Sequence, residues 1–116
     1  MMLRAFIILT LLGTLPALAE NGVASWYGPG FNGRRTADGS RFNQNRRTLA
    51  SRTLPLGAWV RIENLRNHRV SVARVNDRGP YVRHRIADVS RRVAIDLEMK
   101  KRGVDRVRIT MIGVGE

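Results

Sequence analysis

Hydrophobic positions recur in two rhythms along this chain. In "TLPLGAWVRIEN" a turn at Pro55 to Gly57 leads into strict alternation, with Val60 and Ile62 on one face and Arg61 and Glu63 on the other. That pattern predicts a strand with one face in water. Residues 64 to 69 predict a hairpin connection, and Val70, Val72 and Val75 continue in a second strand. Alternation breaks there at Ala73-Arg74, which predicts either a bulge or burial on both faces. A last strand places Val107, Ile109 and Met111 inward. Between these strands the period changes. Val93, Ala94 and Leu97 fall on one stripe of a helix predicted from about Arg91 to Arg102, with Ser90 as N-cap and Gly103 as stop. Earlier, a short β-leaning run from Gly22 to Tyr27 stops at Gly28-Pro29-Gly30 and gives way to a long loop reaching Asn45. Trp26, Tyr27, Phe31 and Phe42 mark that region as ordered, because disordered segments carry few aromatics. Short strands with a single helix predict a small, mainly β barrel.

The first residues follow neither rhythm. A basic start ending at Arg4 precedes an apolar run from Ala5 to about Leu15, then Ala17-Leu18-Ala19 before Glu20. This order predicts a secretory signal peptide over residues 1–19. A membrane span needs roughly 18 apolar residues, and Gly13 and Pro16 interrupt the run. Residues 20–116 are then expected to form one domain, periplasmic or secreted. The chain has no cysteine, so neither a disulfide nor a lipid anchor at the cleavage site is expected. The mature product is expected to be a soluble monomer without a membrane anchor, not a lipoprotein.

Charge adds a preference for partners. Twenty-one Lys and Arg face nine Asp and Glu, a formal net charge of +12. Such a field favours polyanions, which outside the cytoplasm means acidic wall polymers or lipid head groups. The export signal and the lack of a helix-turn-helix or RNA-binding motif argue against specific nucleic-acid binding.

Several chemistries fail on counting. Only His68 and His84 are available as imidazoles, at no zinc spacing and without cysteines, so no metal site is expected. There is no Gly-x-Ser-x-Gly elbow and no Gly-rich phosphate loop. Carboxylates remain. Asp38 in "TADGS" suits an Asx-turn, Asp96 and Glu98 lie on the predicted helix, and Asp88 in "RIADVS" suits a structural hydrogen bond before the helix cap. Asp77 differs, because it ends a mostly apolar strand and is followed by the sharp exit Arg78-Gly79-Pro80. This puts its carboxylate at the barrel rim, where it either caps its own turn or does chemistry.

The segments "ASWYGPGFNGRRTADGSRFN", "TLASRTLPLGAWVRIENL", "VSVARVNDRGPYVRHRIADVS" and "GVDRVRITMI" together resemble the rare lipoprotein A family of exported wall proteins, in the right order. The resemblance implies a six-stranded double-psi β-barrel with one short helix. It also implies a peptidoglycan lytic transglycosylase with no cofactor. Such an enzyme protonates the glycosidic oxygen between the two wall sugars and lets the muramic acid's own hydroxyl attack, leaving an anhydro end. One carboxyl can serve as acid and then base, unlike the paired carboxylates of ordinary glycosidases. The family's acid/base Asp falls on Asp77. Its frequent Glu, Asp and His fall on Ser40, Asn43 and Ser51, so Asp77 stands without titratable neighbours in this register, and Ser51 is left as a proton relay. Tyr27 either stacks on a sugar or joins Trp26 in the core, Thr36, Asn76 and Arg78 are the candidate hydrogen-bonding groups along the groove, and Tyr81 either lines it or closes the barrel. The other implied reading is a glycan-binding module without turnover, as in the expansin relatives of this fold.

Overall fold

The computed structural model describes residues 19–115. The expected leader lies outside the described residues except for Ala19, which opens the first strand. Six strands, β1 (Ala19–Trp26), β2 (Thr48–Ala50), β3 (Ala58–Asn64), β4 (Val70–Asp77), β5 (Arg85–Val89) and β6 (Val104–Val114), close into a barrel in the order β1-β5-β2-β4-β3-β6. β1 pairs parallel with β5, β2 pairs parallel with β4, and the other four contacts are antiparallel. Closure leaves no open sheet edge to recruit another chain. One short helix, Arg91–Asp96, follows β5. Among the described residues, the predicted six-stranded, mainly β barrel with one short helix is the observed architecture.

The alternating strand behaves as its sequence dictates. In β3, Ala58, Val60, Ile62 and Asn64 point inward while Trp59 and Arg61 face solvent. In β4 the inward set is Ser71, Ala73 and Val75, so Val70 and Val72 are exposed. Neither a bulge nor two-sided burial occurs at Ala73-Arg74, where pairing with β3 is regular and Ala73 simply takes an inward position with a small side chain. The strand's irregularity comes later, where Leu49 of β2 pairs with Val75 and Ala50 with Asp77, leaving Asn76 as the extra residue. This irregularity turns the Asp77 side chain toward the barrel's end. Leu49, Val60, Ile62, Val75, Val89, Val107 and Ile109 fill the interior and are essentially fully buried. Each such side chain contributes about 1.5–3 kcal/mol by leaving water.

β2 and β5 are not announced by periodicity. They have three and five residues, too few for a period to register, and β2 is mostly buried. The helix is shorter than predicted. Ser90 caps it as expected, its hydroxyl accepting from the Val93 amide at 3.3 Å. It ends at Leu97 in a Schellman arrangement, with the Glu98 amide donating to Ile95 O and the Met99 amide to Ala94 O. Glu98 takes the left-handed φ of 51° that this ending requires, so Gly103 belongs to the following turn.

Gly22 on β1 marks a close approach. A Cβ built there would lie 2.6 Å from Ile86 Cγ2. Gly22→Ala is expected to lower stability by about 1–3 kcal/mol through overpacking, read as a lower midpoint in denaturant titration. An unchanged midpoint would show that Ile86 yields freely.

Candidate functional site

Asp77 is the last residue of β4, and its carboxylate is held on three sides. Tyr27 Oη donates to Oδ2 at 2.7 Å, and the backbone amides of Ala37 and Arg78 donate to Oδ1 at 2.9 Å each. The Arg78 guanidinium does not pair with it. It is pinned the other way, its Nη1 donating to the carbonyls of Ser51 and Leu54. Tyr27 sits at the end of β1, where its ring is buried against Phe42, with ring centroids 4.4 Å apart, and beside Phe31 at 5.4 Å. Burial, followed by its bond to Asp77, pushes the Tyr27 hydroxyl far above the usual phenol range, so it remains a donor.

These groups line a cavity of about 320 Å³ at one end of the barrel. Asp88 lines it too. It lies on β5, paired with Ser25 of β1 and Ala50 of β2. Burial pushes the Asp88 carboxyl above the usual carboxylate range; a 3.1 Å hydrogen bond from Ser25 Oγ and the Arg85 charge oppose the shift, and the Asp77 charge reinforces it. In the family register Asp77 has no acidic neighbour. The fold supplies one from a different strand. A sequence signal was present, since Asp88 interrupts the apolar run of Ile86, Ala87 and Val89.

The remaining candidates divide. Thr36 and Tyr81 line the cavity, Thr36 buried and Tyr81 79% exposed at its mouth. Ser51 does not: it is fully buried, and its hydroxyl accepts from the amides of Thr53 and Leu54 at 3.2 and 3.0 Å. It shapes the turn that receives Arg78, and it cannot relay a proton to the cavity. Ser40 is occupied by Asp38, its hydroxyl 2.6 Å from Oδ1, within the Asx-turn expected of "TADGS". Burial would raise the Asp38 carboxyl, but hydrogen bonds from Ser40 and Thr36 outweigh it and hold the group below the usual range. Asn43 turns on itself, accepting from the Asn45 amide at 2.9 Å. Asn76 is buried behind the cavity, its backbone carbonyl accepting from the Asp38 amide. Ser51, Ser40, Asn43 and Asn76 therefore do not line the cavity, Ser51 and Asn76 being buried and Ser40 and Asn43 exposed outside it. The stacking expectation for Tyr27 also changes, because its ring is packed and its hydroxyl is what works on the site. The exposed aromatic rings at the cavity are Phe31 and Tyr81. Phe31 lies in a 3-10 turn, Pro29–Phe31, with the Arg34 guanidinium 5.6 Å over its ring. Among the described residues, no cluster of three or more His, Cys, Asp or Glu side chains could hold a metal.

The chain matches the family model described as "Lytic transglycolase" over residues 19–109, the whole of the barrel up to the last strand's middle. It belongs to that family. It is 45% identical over 104 residues to the endolytic peptidoglycan transglycosylase RlpA of Campylobacter jejuni, covering 88% of this chain and 38% of that protein. It is 50% identical over 93 residues to the probable RlpA of Synechocystis, covering 80% of this chain and 29% of that protein. The chain thus spans about a third of the length of these relatives. Among solved structures it resembles the Streptomyces papain inhibitor, with a TM-score of 0.67 at 19% identity over 85% of this chain and 99% of that one. An expansin from Clavibacter michiganensis aligns with a TM-score of 0.66 at 13% identity, covering 85% of this chain and 52% of that one. At these identities both likenesses speak for the barrel alone.

Proposed function

We propose that this domain is an exported peptidoglycan lytic transglycosylase that cleaves glycan strands and leaves anhydro-muramic ends. The observation that carries the reading is one cavity with two unlike carboxyls: Asp77, held by three donors, and Asp88, which burial biases toward its neutral form. The resemblance assigns both proton steps to Asp77. The geometry favours a division of labour. Asp88 gives its proton to the glycosidic oxygen as the bond to C1 breaks, and the muramic C6 hydroxyl attacks C1 while Asp77 accepts its proton. The pair ends with the proton count it began with, and solvent returns the proton from Asp77 to Asp88. Two carboxyls in different surroundings within one cavity can serve as an acid and a base. Tyr27 orients Asp77, and Phe31 and Tyr81 offer ring faces to a pyranose at the mouth.

Export is supported by the leader pattern, and affinity for acidic wall polymers by the excess of arginine. Arg34 and Arg35 at the cavity rim have no carboxylate partner among the described residues. A non-catalytic glycan-binding module is the second reading. It is favoured by Ser40, Asn43 and Ser51 standing where the family often has titratable groups, with none of the three lining the cavity.

Asp88 gives a test that separates the readings. Its pKa is raised on folding, so its contribution to stability is fully present below the unfolded value near 3.9 and is lost as pH rises through the folded value. Asp88→Asn should therefore raise the melting temperature at pH 7, with the gain disappearing below about pH 4, and should abolish turnover. Wild-type turnover should decline as pH rises through that folded value. Full activity in Asp88→Asn would remove Asp88 from the chemistry.

A further inference from the structure

A polymer cannot end at a cavity of about 320 Å³, which is at the small end of pockets for a drug-sized ligand. The outer face of the barrel beside it carries an aromatic with no role in the core. Trp59 is the solvent-facing residue of β3 directly across from Arg74 on β4 and Gly113 on β6. The Arg74 guanidinium stands 5.3 Å from the Trp59 ring centroid and is fixed there, its Nε donating to Gly57 O and its Nη2 to Gly115 O. One side of the indole is therefore braced by a cation. Across the strand pair, Gly113 offers no side chain, and a Cβ built there would meet nothing within 4 Å. The result is a braced aromatic plane beside a bare strip of backbone.

This platform lies toward the same end of the barrel as the cavity: β3 begins, with Trp59 facing Arg74, where β4 runs out to Asp77, three residues beyond Arg74. The Ala37 amide donates to Asp77, and the adjacent Asp38 lies close enough to Arg74 for its carboxyl to feel the charge.

We infer that Trp59 and the Gly113 strip form a second, non-catalytic saccharide platform that holds the glycan strand outside the cavity. The inference rests on the proposed glycan substrate. The chemistry that suits the platform is the apolar face of a pyranose, which needs a flat ring, little side-chain clutter and few charges to desolvate. A protein partner, or a second copy of this chain, is the competing occupant.

The test is retention on insoluble peptidoglycan, measured in the Asp77→Asn background so that the polymer stays intact. Trp59→Ala removes the ring. Gly113→Val fills the strip from the other side, and Gly113 is not at a positive φ, so valine fits its backbone. Trp59→Tyr keeps a ring. Retention should fall about five- to tenfold in the first two variants, the equivalent of one stacking contact, and be largely kept in the third. The difference should persist at high salt, where arginine-driven binding fades. Unchanged retention in either Trp59→Ala or Gly113→Val would overturn the inference. So would a Trp59→Tyr as weak as Trp59→Ala, or a change of oligomeric state by sedimentation, which would assign the face to a second copy. A failure of the enzymatic reading is seen separately, as the absence of anhydro products from the wild type, and leaves this retention measurement interpretable.

Discussion

Asp77→Asn lowers the release of anhydro-muropeptides from isolated sacculi by about 10²–10⁴-fold, the range associated with losing a positioned acid or base. The asparagine side chain has nearly the same shape and can still accept from the Ala37 and Arg78 amides, so the turn at the end of β4 is kept. What it loses is the capacity to take up a proton from the attacking hydroxyl. Retention on peptidoglycan and the melting temperature should consequently stay close to wild type while turnover collapses. A variant that unfolds would assign Asp77 to the turn alone. One that turns over normally would remove it from the chemistry.

The largest effect on stability is expected at Asn64, far from the cavity. It is fully buried at the end of β3, and its Nδ2 donates to Leu97 O at 3.0 Å and Asp105 Oδ2 at 3.1 Å while its Oδ1 accepts from the Arg66 amide. One amide thus ties the β3–β4 hairpin, the end of the helix and the start of β6. Asn64→Ala leaves the Leu97 carbonyl short of one of its two side-chain donors and strips the buried Asp105 of a neutral partner. The expected loss is about 3 kcal/mol, or a melting temperature lower by about 12–24 °C for a domain of this size. Scanning calorimetry measures it. A shift of only a few degrees would mean that water replaces the amide in all three bonds.

How far the sequence was legible depended on how many neighbours each inference needed. Val60 and Ile62 could be assigned to the core because alternation is a property of one strand, and burial on one face is its only stable outcome. Ser90 could be recognised as a cap for the same local reason. The break at Ala73-Arg74 marked no bulge, since Ala73 is only a small inward residue; the irregularity sits at Asn76, where it depends on pairing with β2. β2 and β5 stayed hidden because their identity comes from the partners that enclose them. Asp88 makes the structural hydrogen bond expected of it, from Ser25 Oγ; its place in the cavity stayed hidden because only β2, whose Ala50 faces both Asp77 and Asp88, brings the two carboxyls together. Ser51 shows the opposite error. Its position in the family register suggested chemistry, yet local hydrogen bonding to Thr53 and Leu54 claims its hydroxyl. Tyr27 does line the cavity, but alternation along β1 could not reveal that the Phe42 ring covers it.

The pairing of two unlike carboxyls in one cavity is tested most directly by mass spectrometry of isolated sacculi digested with the purified wild-type domain. Glycan fragments ending in anhydro-muramic acid are the expected product, because the muramic hydroxyl and not water attacks C1. Reducing ends in their place, or a profile identical to buffer, would contradict it.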